Sequence, residues 1–103
     1  MRLISQDGEI DIPYENSVVY SYADYRYNKE KNYHDIIGYK IIASIGDGKW
    51  TLGDYSTEEK ALKVMEMLRQ QYMCRLTTVL VDVKAESTYF KFPTDESVND
   101  VSA

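Results

Sequence analysis

The stretch WTLGDYSTEEKALKVMEMLRQQY, residues 50–72, changes its hydrophobic period part-way along, and that change sets the fold class. Trp50 and Leu52 alternate with polar neighbours as on a half-buried strand, and Asp54 continues their side. Beyond Tyr55 the pattern becomes helical. Ala61, Met65, Leu68 and Tyr72 recur at spacings of four, three and four, joined by Leu62, Val64 and Cys74 in one apolar stripe. Ser56 and Glu59 stand in the S-x-x-E arrangement, where a hydroxyl and a carboxylate each satisfy a free backbone N–H, so a helix capped at Ser56 is expected. Glu59 and Lys63 lie i,i+4 on its wet face in the favourable order.

Upstream, the chain reads as strands. Asp7-Gly8 marks a turn between short extended runs at Leu3–Ser5 and Glu9–Ile12, with Leu3, Ile10 and Ile12 pointing inward and pairing ending at Pro13. From Val18 the residues alternate, Val18, Tyr20 and Tyr22 against Val19, Ser21 and Ala23, and the first set is expected to pack inward under the helix. NKEKN, residues 28–32, has no apolar residue and reads as a hairpin loop. A return strand follows from about Tyr33 to Ile45, with Ile37, Tyr39, Ile41 and Ala43 on one face and its middle buried. GDGK, residues 46–49, turns the chain into the strand of residues 50–55. Downstream, residues 76–85 fit both periods, and their β-branched crowding favours a strand. A short extended run ends at Pro93.

The expected architecture is therefore α+β: an antiparallel sheet, made of an N-terminal hairpin, a three-stranded meander and a short C-terminal strand, packed against one main helix. It fills a single domain over residues 1–93, and the small, acidic residues 94–103 read as a disordered tail.

Composition excludes several classes of function. A net charge of -5 and an isoelectric point near 4.8 oppose direct nucleic-acid binding, which needs clustered Lys and Arg. The longest uncharged apolar run is far short of the roughly 20 residues that cross a bilayer, and the N-terminus lacks a signal-like apolar core, so a cytoplasmic setting is expected. The single cysteine, Cys74, forms no internal disulfide and no thiolate metal pair, and reads as a small apolar residue near a helix end. The methionines at 65, 67 and 73 read as core fillers.

No catalytic, cofactor or metal constellation emerges, and the chain is not expected to be an enzyme. His34 is the only imidazole; its neighbour Asp35 points to the opposite side of a strand and cannot orient the ring. Asp7, Glu9 and Asp11 alternate faintly like a calcium loop but lack its length and terminal glutamate. What stands out is VVYSYADYRYNKEKNYH, residues 18–34, which holds five of the chain's ten tyrosines. Tyr25, Tyr27 and Tyr33 flank the charged loop, where a hairpin would project beyond the helix. Together with Arg26, Lys29, Glu30, Lys31 and His34 they form the candidate partner-binding set. Tyrosine offers a wide, rigid contact with a hydroxyl for pairing. The same rings could stack nucleic-acid bases, or form a homodimer seam.

Two resemblances add to this reading. W-x-L-G-x-Y-x-T-x-E-x-A, residues 50–61, resembles the strand-to-helix step of plant and phage sheet-plus-helix DNA-binding domains, the arm-binding domains of phage integrases among them, and implies their topology. MRLISQDGEIDIPYE, YSTEEKALKVMEMLRQQY and FKFPTDE together resemble a family of small proteins encoded by phages and integrative elements of Gram-positive gut bacteria. That resemblance implies a mobile-element accessory protein working in the cytoplasm of a bacterial host. It would act by protein–protein binding, as anti-CRISPR proteins do, with a CRISPR effector nuclease as the candidate partner.

Overall fold

A computed structural model of the chain describes residues 1–80, the last six of these by their backbone alone, and residues 89–98. Strands β1 (Arg2–Ile4) and β2 (Asp11–Pro13) form the N-terminal hairpin. β3 (Val18–Asn28), β4 (Tyr33–Ile45) and β5 (Gly48–Tyr55) form the meander, followed by α1 (Glu58–Leu80) and β6 (Tyr89–Lys91). The fold is α+β as expected, but its strands make two sheets, ordered β2-β1-β6 and β3-β4-β5. β6 joins the first sheet parallel to β1, placing Phe90 beside Leu3.

The helix covers a core shared by both sheets. Ala61, Val64 and Leu68 are buried, with Met65 and Tyr72 packed beside them, against Leu3, Ile41, Ala43, Leu52, Phe90 and Phe92. On β3 the inward residues are the reverse of those expected: Val19 packs against the core, while Val18 is 67% exposed and Tyr22 is exposed with it. Cross-strand pairs explain the choice. Val19 lies opposite Ala43 and Ser21 opposite Ile41, a face with room for a helix that the rings of Tyr20 and Tyr22 would fill. Leu62 and Cys74 fall off the buried stripe, and Met67 and Met73 are likewise exposed.

β2 ends at Pro13 as expected, with one backbone bond beyond it, Tyr14 N–H donating to the Met1 carbonyl at 2.9 Å; on this edge strand the proline's missing donor faces outward. The helix differs at both ends from the sequence reading. Its N-terminal cap is Thr57, whose Oγ1 accepts Lys60 N–H at 3.2 Å. The Ser56 N–H and hydroxyl are taken instead by Asp95 Oδ1, at 2.7 and 3.1 Å, a carboxylate being the better acceptor at a helix N-terminus. At the other end the backbone stays helical through residues 76–80, where β-branched crowding favours a strand. Extending a nucleated helix costs β-branched residues less than about 0.7 kcal/mol each. Residues 81–85 of that expectation lie outside the described residues.

Part of the acidic tail is folded. Residues 95–97 form a 3-10 turn, Val98 is buried, and Lys60 Nζ donates to the Asp95 carbonyl at 3.0 Å; residues 99–103 lie outside the described residues. This segment binds both sheets together. The Pro93 carbonyl accepts from the Tyr55 hydroxyl at 2.7 Å and from Gln6 Nε2 at 2.9 Å. Gln6 also receives Asp54 N–H on its Oε1 at 2.8 Å and donates to the Asp54 carbonyl at 3.1 Å, copying a strand's pairing with its side chain. Burial pushes the Tyr55 phenol well above its ordinary pKa.

A Cβ on Gly53 would sit 2.7 Å from the Tyr55 ring, which its hydroxyl bond prevents from moving away. Gly53→Ala should therefore lower stability in urea by about 1–3 kcal/mol. At Gly48 the obstructing ring is that of Trp50, which is partly exposed and can swing aside, so Gly48→Ala should cost less. The Ser56 N–H holds the Asp95 carboxyl below its ordinary value of 3.8. A lowered folded-state pKa means stabilisation that is complete above the unfolded value and lost as pH falls through the folded one. Asp95→Asn should thus lower the urea midpoint at pH 7, with the gap to the parent closing as pH falls below the ordinary carboxyl value of 3.8.

Candidate partner interface

β3 and β4 pair along their whole length and run past the helix as a two-stranded arm, giving the chain extents of 59 × 39 × 19 Å. The arm's tip is built from its own side chains. Asn28 Oδ1 accepts the backbone N–H of Glu30 and of Lys31, at 3.0 and 3.3 Å, and Asn28 Nδ2 donates to Asp35 Oδ2 at 3.0 Å. Asn32 takes a left-handed conformation (φ 57°) and its Oδ1 accepts the Tyr27 hydroxyl at 2.6 Å.

Register distributes the candidate residues over two faces. Tyr27 lies opposite His34 and Tyr25 opposite Ile36, on the side continuous with the helix. Ring centroids of Tyr27 and Tyr25 stand 5.2 and 6.4 Å from His34, so the imidazole is framed by two phenols. Arg26 opposes Asp35 and Tyr33 opposes Asn28 on the other side, where Lys31 Nζ lies 5.8 Å from the Tyr33 ring. Lys29 and Glu30 stand exposed in the turn. The eight residues therefore share one arm but not one surface.

Sequence reasoning missed two members. Ile36 and Ile37, with Tyr25, Tyr27 and Tyr33, are each between 48% and 58% exposed. Ile37 was expected to face inward in step with Tyr39 and Ile41, but β4 carries an extra residue there: Asp24 pairs with Gly38 and Tyr25 with Ile36. Gly38, which lets the Tyr55 carbonyl approach to 3.3 Å from where a Cβ would stand, was the available signal for that bulge. At the arm's base a hollow of about 310 Å³ opens between Tyr25, Ile36 and Tyr39 and the first turn of the helix at Glu58 and Ala61.

Other polar groups are engaged elsewhere. Asp7 Oδ1 accepts the Ser5 hydroxyl and the Glu9 N–H, which hold its carboxyl below the ordinary range, and Asp11 Oδ1 accepts Arg2 Nε at 2.7 Å. Those carboxylates do not converge, and among the described residues no group of three His, Cys, Asp or Glu could hold a metal ion. No helix among the described residues is long and apolar enough to cross a membrane. No family model, curated protein or solved structure matches the chain.

The tip's geometry is testable directly. Asn32→Gly should preserve the arm, whereas Asn32→Val, forced to a positive φ, should cost about 1–2 kcal/mol locally and raise hydrogen exchange at the amides of residues 29–32.

Proposed function

We propose that this chain acts by protein–protein binding through the β3–β4 arm. In this reading it is an accessory protein of a phage or mobile element that inhibits a host defence protein in the bacterial cytoplasm, with a CRISPR effector nuclease as the specific candidate. The observation that carries the binding role is the exposed aromatic face of Tyr25, Tyr27 and Ile36 around His34, held on paired strands beyond the core. Large rigid rings fixed in advance lose little entropy on docking, which is what makes tyrosine effective at interface centres. Support for the phage origin and the class of partner comes from the three sequence segments described above, and inhibition by occlusion requires no catalytic group.

The charge pattern speaks against a nucleic-acid partner. Arg26, Lys29 and Lys31 on the arm are balanced by Asp24, Glu30 and Asp35. On the meander's outer face Lys40 Nζ lies 3.8 Å from Asp24 and 3.6 Å from Asp54, so its charge is already matched.

Replacing Tyr25, Tyr27 and Tyr33 together by Ala should leave the thermal transition close to that of the parent. It should weaken binding to a co-purified host partner by about 100-fold or more and abolish protection of phage from CRISPR targeting. Unchanged affinity would remove the arm from the interface; absence of both a stoichiometric partner and any protection would refute the inhibitor reading.

A further inference from the structure

The two edges of the meander are treated differently. Outside β5, Gln6 N–H donates to the Leu52 carbonyl at 2.9 Å and the Gln6 side chain clips both backbone groups of Asp54, so that edge is closed over residues 52–54. Outside β3, by contrast, no described backbone or side chain makes a hydrogen bond to the strand. Of the usual defences of a free edge β3 carries only two charges, Asp24 and Arg26. VVYSYADYRYN contains no Pro and no Gly, and the extra residues of the sheet's two bulges, Ile37 and Leu52, lie on β4 and β5. Exposed apolar side chains stand on both of its faces: Val18 and Tyr22 on one, Tyr25 and Tyr27 on the other. A strand laid alongside residues 22–28 would cover Tyr22, Tyr25 and Tyr27 at once.

We propose that this edge pairs antiparallel with β3 of a second copy, about a two-fold axis through Tyr25, joining the two meanders into one six-stranded sheet. Charge favours this occupant and this register, Asp24 keeping Lys40 Nζ at 3.8 Å as well. Asp24 and Arg26 are the only charges on β3, and centring the axis on Tyr25 sets each Asp24 opposite the Arg26 of the other copy, twice per dimer. Tyr25 then meets Tyr25, Ala23 meets Tyr27 and Tyr22 meets Asn28, so no like charges face each other. The paired arms form a four-stranded platform in which the face of Tyr25, Tyr27, His34 and Ile36 is doubled across the axis. This deepens the reading of the arm given above: the platform's use rests on that reading, but the pairing does not.

The test uses the full chain in a Cys74→Ser background. Sedimentation across a concentration range should show a reversible dimer at tens of micromolar, roughly the affinity of a modest edge interface. Tyr25→Cys, whose Cα would lie about 5 Å from its own copy across the axis, should form an intermolecular disulfide under mild oxidation, while Tyr33→Cys, on β4, should not. Arg26→Asp should weaken dimerisation by about tenfold, and Asp24→Arg combined with Arg26→Asp should restore it. A monomer at all concentrations, or cross-linking through Tyr33→Cys rather than Tyr25→Cys, would overturn the pairing. Host-partner binding by such a monomer would leave the proposed function standing, whereas a dimer that captures no host partner would remove that function and keep the pairing.

Discussion

The Pro93 carbonyl, with the Tyr55 hydroxyl and the Gln6 amide bound to it, holds the base of the molecule together. Around that point the last described strand returns to lie beside the first, the meander's third strand ends, and the helix begins. Phe90 and Phe92, stacked edge to face at 5.1 Å, are carried under the helix by the parallel pairing of β6 with β1. The short strands of that sheet could not hold such rings in place unaided. Asp95 completes the arrangement by accepting from Ser56 just before the helix and by pairing with Lys60.

A base closed in this way allows the arm to go uncovered. The helix packs over only part of β3 and β4, because the small residues that admit it, Ser21 and Ala23, give way to Tyr25 and Tyr27 along the same side. Past that change the strands hold each other through the ladder, through the Asn28–Asp35 bond and through the Tyr27 hydroxyl on Asn32. Polar anchors at the tip leave the apolar faces of the rings free. Under the proposed binding role, a face formed in advance in this way would lose little entropy on docking.

The elements were legible in the sequence wherever local pattern and burial agreed. The stripe of Ala61, Val64 and Leu68 and the Asp7-Gly8 turn lie where their residue types place them, and the polar loop does so over residues 29–32, Asn28 being the last residue of β3. Failures occurred where a distant residue decided the matter. Ser56 reads as a cap until Asp95, far along the chain, takes its donors and leaves the role to Thr57. Val18 and Tyr20 are as apolar as their alternates, and only the helix's need for small neighbours selects the other face. The bulge at Ile37 is a matter of pairing count, which one strand's own sequence does not contain. Exposure of Tyr25, Tyr27 and Tyr33 was readable because charged loop residues flank them; their division between two faces was not, since it depends on register across the hairpin.

The most direct test of the arm as the binding element is site-specific photo-cross-linking in bacterial cells, with benzoylphenylalanine placed at Tyr27 or, for comparison, at Leu62 or Val18, apolar positions exposed elsewhere on the molecule. A covalent adduct with a host protein from Tyr27 alone is the predicted result. Adducts from Leu62 or Val18 with none from Tyr27 would contradict it and place the partner on the body of the protein.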